Sequence, residues 1–457
     1  MKIAAAPARP AATGCRGRPS LPWLAIKRLP GFVPFLALAL VPLLAACSSG
    51  SDAAKPADTT STTRSPRARG NVDGALTLGQ LAPLSGSLAP IAKSLTTPVE
   101  IAVNQINAAG GISGKPVKLT IADDGGGENG PVATASLAML LDTKKVDAVI
   151  GPTATGTALD LLDTIRTRGV LTCSGSNSAE ELSHADSGGY YFRTAPPDRL
   201  QAIALARLVA TAGRQHPVIV ARDDAYGRAF LGPLGRELRR RGVKPVGSFT
   251  YDAQVPNLDA VGRQIARRHP DSVVVIALAE DGARIVSAMA AAGVGPNQVP
   301  VYTADGMQSA TFHTKVDPAD PGAVRGIVGT APAAAPASGE NAFTAAMRQA
   351  GVEPVFSAYY YDCAMLTALA AVQAHSDDPA KMKRTFAKSL EGNSDCSTFG
   401  ACVALLAAGK TIHYRGASNA FDVWDGHEPG QGSYDVWSYA PDGSVVTGPP
   451  AQQIHVP

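Results

Sequence analysis

Aromatic residues are scarce in this chain, 5% of 457 residues with three tryptophans, and this suits an alanine- and glycine-rich α/β protein. Clustered lysine and arginine are also missing, which argues against a nucleic-acid surface, since that needs a concentrated basic footprint. Arg239-Arg240-Arg241 is a single short run at an expected helix end, where the helix dipole favours it. No CxxC spacing is present, so no zinc site is expected. HExxH and GxSxG are absent too, and with them the residues of zinc-protease and serine-hydrolase chemistry. Gly110 to Pro116 (GGISGKP) echoes a phosphate loop but lacks its spacer and the hydroxyl residue after lysine. It reads as a helix stop followed by a turn. The eight histidines are scattered, and His313 and His413 read as surface residues near loops. No enzyme activity, cofactor or metal is expected from this inventory.

Acidic residues are absent from residues 1–46, which carry Lys2, Arg9, Arg16, Arg18, Lys27 and Arg28. Without these six, 35 basic residues face 38 acidic ones, so the formal charge of +3 belongs to the amino terminus. The apolar run from Gly31 to Ala46 is about sixteen residues, short of the ~20 a spanning helix needs but right for a secretory signal. It ends in Leu44-Ala45-Ala46-Cys47, which resembles a bacterial lipobox, so Cys47 is expected to be lipidated. Residues 47–73 are rich in Ser, Thr, Ala, Asp and Pro without an apolar period, and read as a disordered tether.

From Gly74 to Asp124 the pattern is strand, glycine loop, helix, glycine stop, strand: a βαβ unit, whose ligands sit at the carboxyl ends of the strands. Thr97-Pro98-Val99-Glu100 matches a capping box with proline at the first helical position, which places the helix start there. Val146 to Ile150 and Val170 to Thr172 are short strands, each followed by a hydroxyl-rich turn, Thr153–Thr157 and Cys173–Ser178. Such turns offer backbone N–H groups and hydroxyls to a carboxylate, although Ser and Thr also serve simply as helix caps. After Tyr190–Pro197 a second βα series begins, with strands at Pro217–Ala221, Val246–Thr250, Ser272–Leu278 and Val301–Thr303. A low-complexity run after Thr330, a helix over Ala358–Gln373 and a β-rich ending complete the chain. Cys173, Cys363, Cys396 and Cys402 remain after the signal and lipobox cysteines. Three pairings are open, and Cys396–Cys402 across a short loop with Cys173–Cys363 is the expected one.

PLSG, INAAGGISGKPVKL and Asp123-Asp124, then Ile150-Gly151-Pro152, Ala225-Tyr226-Gly227 and Tyr414–Ser418, occur in an order that resembles the branched-chain amino-acid-type substrate-binding proteins of ABC importers. The resemblance covers roughly everything after residue 74. It implies a type I periplasmic-binding fold: two doubly wound α/β lobes joined by a multi-strand hinge. Implied segments are lobe I at 74–195, lobe II at 196–330, a return to lobe I at 331–410 and a lobe II/hinge ending at 411–457. It further implies that the hydroxyls of Thr155, Ser176 and Ser178 meet a ligand carboxylate, that Asp305 meets an ammonium, and that Tyr226 closes over the ligand. Asp305 has a plainer alternative as an Asp-Gly turn residue. Asp123-Asp124 is implied to be a strand-end feature, with calcium as the alternative. Ile91 and Leu278 stand where several relatives place aromatics, which puts leucine-type specificity in doubt. The expected function is a lipid-anchored, extracytoplasmic receptor that delivers a small polar, amino-acid-like solute to an ABC permease and its ATPase. A ligand sensor of the same fold is the rival.

Overall fold

In the strands, consecutive apolar residues bury to opposite faces, the mark of parallel sheets covered by helices on both sides. In this computed structural model residues 72–127, 129–334, 342–352 and 354–457 are described, within one compact unit spanning 63–457. The signal, Cys47 and the tether through residue 71 lie outside the described residues, as do residues 335–341 of the low-complexity run. The first sheet contains β1 (Thr77–Ala82), β2 (Lys118–Asp123), β3 (Ala148–Ile150), β4 (Leu171–Ser174) and β5 (Tyr191–Arg193). They are all parallel, in the order β2-β1-β3-β4-β5. Between them run α1 (Ala92–Ala108), α2 (Gly130–Asp142), α3 (Thr155–Arg168) and the single turn α4 (Glu181–His184). Ala148 and Ile150 pack into the core shared with α1, while Val149 between them faces the core of α2 and α3.

A second parallel set repeats the design: β6 (Pro217–Arg222), β7 (Gly247–Tyr251), β8 (Ser272–Ile276), β9 (Val301–Thr303) and β10 (Ile327–Pro332). Their order is β7-β6-β8-β9-β10. The associated helices are α5 (Asp198–Thr211), α6 (Ala225–Arg240), α7 (Asp259–Ala266), α8 (Ala279–Ala291) and the short α9 (Phe312–Val316). The chain then returns to the first lobe as α10 (Ala342–Ala350), α11 (Ser357–Ala374), α12 (Pro379–Met382), β11 (Ser394–Cys396), α13 (Phe399–Ala407) and β12 (Ile412–Tyr414). The short hairpin β13 (Trp424–Asp425) and β14 (Glu428–Pro429) precedes β15 (Gly432–Tyr439), which pairs antiparallel with β10 and carries β16 (Val445–Thr447) and β17 (Ile454–Val456). No helix among the described residues is long and apolar enough to cross a membrane.

Two details differ from the sequence reading. Helix α1 starts at Ala92, not at Thr97, and Pro98 lies inside it, buried. Proline removes the N–H that would bond to the carbonyl four residues earlier. That carbonyl, Ser94 O, instead accepts from Ser357 Oγ at 2.6 Å, and Leu95 O accepts from Gln80 Nε2 at 2.8 Å. The capping motif was local, but its replacement partner lies 263 residues away. The expected passage to lobe II at 411 also comes later. Ile412, Tyr414, Ala417 and Phe421 are buried in the first-lobe core. Tyr414 Oη and the N–H groups of Ala417 and Ser418 all donate to Asp362 of α11, at 2.8, 2.8 and 2.9 Å. The chain joins the second sheet only at Gly432.

Candidate functional site

Both sheets change winding direction between their first and third strands in sequence, β1/β3 and β6/β8. Such switch points open crevices at the carboxyl ends of the strands. The loops leaving those strands face one another across a cleft of about 190 Å³.

On the first-lobe side, Asp124 anchors the loop after β3. Its fully buried carboxylate accepts from Thr153 N at 2.7 Å and Gly126 N at 3.0 Å. Burial raises its pKa despite these bonds. Asp123 accepts from the N–H groups of Leu84, Ser85 and Gly125 at 2.9–3.1 Å and from the Ser85 hydroxyl at 2.6 Å. The acidic pair therefore organises backbone, and among the described residues no group of three His, Cys, Asp or Glu is placed to hold a metal. Gly126 has φ +62°, and a Cβ there would fall 2.3 Å from Ser85 O, so the turn requires glycine.

Helix α3 begins at Thr155, and its first intrahelical bond is Ala158 N to Ala154 O at 3.0 Å. The earlier N–H groups point out of the helix end, where an anion is favoured. Thr155 and Ser178 are both buried in the cleft wall, with Ser178 N donating to Thr155 Oγ1 at 3.4 Å. Ser176 also lines the cleft. Its hydroxyl, however, donates to Thr153 O at 2.7 Å and pairs with Tyr360 Oη at 2.9 Å. That donor is spent on the loop itself, so Ser176 braces the cleft wall. Tyr360 was not singled out in the sequence. Its neighbour Gly175 explains the fit, because a Cβ there would fall 2.5 Å from the Tyr360 ring.

Cys173 immediately precedes this loop, and its sulfur lies 1.94 Å from that of Cys363 on α11. Cys396 and Cys402 are likewise bonded, at 2.10 Å.

On the second-lobe side, Asp224 caps α6 by accepting from Gly227 N at 2.9 Å, and its other oxygen meets Arg222 Nε at 2.6 Å. Tyr226, on the first turn, lines the cleft, and its hydroxyl has no hydrogen-bond partner among the described residues. Gly306 lies beside it: a Cβ there would sit 3.3 Å from Tyr226 Oη and 2.4 Å from Ala277 O. Asp305, at the end of β9, is half-buried in the cleft wall and accepts from Gln201 Nε2 at 2.8 Å. Burial pushes its carboxyl up to about 6, against the opposing effect of the Gln201 hydrogen bond. Gln201 also donates to Thr330 O at 2.9 Å, which fixes its orientation.

Ile91 and Leu278 both stand in the wall, as does Phe356, an aromatic supplied by the returning chain at the start of α11 and not anticipated from the sequence. The cleft therefore combines an anion-favouring helix end and hydroxyls with Asp305 in the second-lobe wall and the apolar Ile91, Leu278 and Phe356, and Arg222, Asp224, Glu280 and Lys315 line it as well.

A family model described as "Periplasmic binding protein" matches residues 75–420. The chemotactic signal transduction system substrate-binding protein BasB of Halobacterium salinarum is 28% identical over 386 residues, 78% of this chain and 84% of that protein. A Leu/Ile/Val-binding protein homolog of Brucella melitensis is 27% identical over 42% of this chain and 53% of its own length. Among solved structures, the leucine-binding protein LivK of Thermotoga maritima superposes with a TM-score of 0.67 at 17% identity, covering 82% of this chain and 98% of that one. The LivJ protein of Streptococcus pneumoniae in complex with isoleucine gives 0.63 at 20%, with 82% and 100% covered. A Rhodopseudomonas palustris solute-binding protein in complex with benzoate gives 0.64 at 21%, with 83% and 98% covered. With the type I periplasmic-binding fold and a family model matched over most of its length, the chain belongs to the periplasmic binding protein family.

Proposed function

We propose that this chain is the solute receptor of an ABC importer, taking a small α-amino-acid-like ligand between its two lobes. The observation that carries the reading is the polarity of the cleft. The α3 amino terminus with Thr155 and Ser178 suits a carboxylate, and Asp305 opposite suits an ammonium. Tyr226 and Phe356 supply rings to cover the ligand, and Ile91 and Leu278 give its side chain an apolar seat. The receptor is held at the extracytoplasmic face by a lipid on Cys47, and rotation of the lobes about their connecting segments closes it for hand-over to a permease. The similarity to a chemotactic substrate-binding protein favours a second reading, in which the occupied receptor signals to a membrane partner.

The test is thermal melting of the chain with amino acids, amides, urea-type compounds, sugars and small carboxylates. A ligand at a hundredfold excess over its Kd adds about 2.7 kcal/mol of stability. Stabilisation by one group of amino acids, abolished in Asp305→Ala, is the expected result. Stabilisation by benzoate or an uncharged solute alone overturns the ammonium assignment. Import failing in cells that lack the protein supports the transport role; intact import with lost taxis supports the sensor.

A further inference from the structure

Asp198 is the first residue of α5, where the chain first passes from one sheet to the other, and it is fully buried. Its N–H donates to Ser178 O at 2.7 Å, so α5 is tied directly to the ligand loop. Among the described residues neither of its carboxyl oxygens has a hydrogen-bond partner. The hydroxyls of Tyr226, Tyr434 and Thr330 are unpartnered as well.

Several groups face this carboxyl. Ser178 comes from the ligand loop, Asp305 from the end of β9, Arg193 from β5 and Glu181 from α4. Tyr226 of α6 and Tyr434 of β15 lie within its electrostatic reach. Arg193 is the one cation in that group, and its guanidinium is already committed. It donates to Glu428 at 2.5 and 2.9 Å, to Ala179 O at 2.8 Å and to Asn177 O at 3.3 Å. A buried acid beside a second acid, with only the Ser178 hydroxyl and an already committed Arg193 to favour its charged form, keeps its proton. Burial pushes Asp198 up to about 8, with Asp305 adding to the rise and Ser178 and Arg193 opposing it.

We propose that Asp198 is the second acid of the cleft's cationic pole, and that seating an ammonium group against Asp305 ionises Asp198 and expels its proton to solvent. This rests on the amino-acid reading above and deepens it. The arriving cation offsets the repulsion between two carboxylates in one buried cluster, so the neutral acid becomes a carboxylate as the site fills. Asp198 acts through Asp305 and Ser178, as a positioning residue that couples capture to proton release. Benzoate and other acids without an ammonium bring no such cation and leave Asp198 protonated.

The test is titration calorimetry of the full chain at pH 7 with L-leucine, L-phenylalanine, L-alanine and L-glutamine. Each titration is run in phosphate and again in Tris, whose ionisation enthalpies differ widely, with benzoate as the ammonium-free control. The buffer difference counts protons. The expected result is release approaching one proton per bound amino acid in the wild type. Asp198→Asn should still bind and release almost none, because Asp305 is already largely ionised at that pH. Equal heats in both buffers overturn the proposal, as does release that persists in Asp198→Asn or accompanies benzoate. Binding of no amino acid overturns the parent reading too, whereas amino acids binding without proton release overturn this inference alone. Should Asp198→Asn fail to fold, the wild-type affinity for the same amino acid between about pH 6 and 8 decides. Tightening that approaches tenfold per pH unit is expected, and a flat profile overturns the coupling.

Discussion

Replacing Asp305 by asparagine separates what the site costs from what it does. The carboxyl titrates at about 6 in the folded chain against the usual 3.8, because burial disfavours its charged form. Below the lower value both states hold the proton and the residue contributes nothing. Between the two values the unfolded chain ionises first, so stability falls as pH rises. Above about 6 the penalty is constant. At about 1.4 kcal/mol per pH unit the displacement sets an upper bound of about 3 kcal/mol. The carboxyl retains part of its contact with cleft water, and screening there reduces the figure to ~1–2 kcal/mol. Asparagine keeps the shape and leaves an oxygen for Gln201 Nε2 to bond. Asp305→Asn is therefore expected to be more stable than the wild type by ~1–2 kcal/mol at pH 7 without ligand, and equal to it near pH 4. Loss of a charge-assisted contact of ~1.5–3 kcal/mol should weaken amino-acid binding tenfold to a hundredfold. Urea midpoints at the two pH values, with and without the bound amino acid, measure both effects. A variant less stable at pH 7, or a gain that does not shrink on acidification, refutes the buried-charge argument.

Ser357→Ala should cost ~1–3 kcal/mol by stranding the Ser94 carbonyl that Pro98 leaves open, without altering ligand affinity. Adding Pro98→Ala should recover part of the loss, and an unchanged urea midpoint in the single variant would sink the idea. Glu428→Gln leaves Arg193 buried without its counter-charge and should cost ~3–5 kcal/mol at pH 7. Burial raises the Glu428 pKa, but Arg193 and Arg199 outweigh it and hold the carboxylate below its usual range. Its stabilisation is thus present above the unfolded value and lost as pH falls through the folded one, a drop that should be absent from the acid profile of the variant. Opening the Cys396–Cys402 loop, 6 residues apart, by a double serine substitution should cost about 2 kcal/mol. Opening Cys173–Cys363, 190 residues apart, should cost about 5 kcal/mol by the same loop-closure argument, read as denaturation midpoints.

What could be read in advance was local and periodic. The strand ends at Ile150 and Thr303 and the hydroxyl-rich turns after β3 and β4 are visible because short apolar runs and turn chemistry are written in neighbouring residues. Thr155, Ser176, Ser178, Tyr226 and Asp305 do line one cleft. What escaped depends on partners far along the chain. The Thr97–Glu100 motif looks like a helix start, and nothing nearby reveals that Ser357 makes Pro98 tolerable. Ser176 looked like a ligand donor, but Tyr360 and Thr153 occupy its hydroxyl. Asp198 follows two prolines at a helix start and reads as an ordinary first-turn acid. Its proximity to Asp305 appears only once α5 packs beside β9, and its tie to Ser178 only once the two lobes meet.

The interleaving of the lobes has a consequence for the order of synthesis. The apolar face of α1, with Leu95, Val99 and Ile106, is covered by Met365, Leu366 and Leu369 of α11. Likewise β10 finds its outer neighbour only in β15, about a hundred residues later. A nascent chain stopped after β10 would leave the α1 face uncovered in the first lobe and β10 without its edge partner in the second. Neither lobe can finish by itself, so premature termination yields no half-receptor. A chain that stays incomplete until its last residues emerge also remains threadable, as suits a polypeptide that crosses a membrane before it folds.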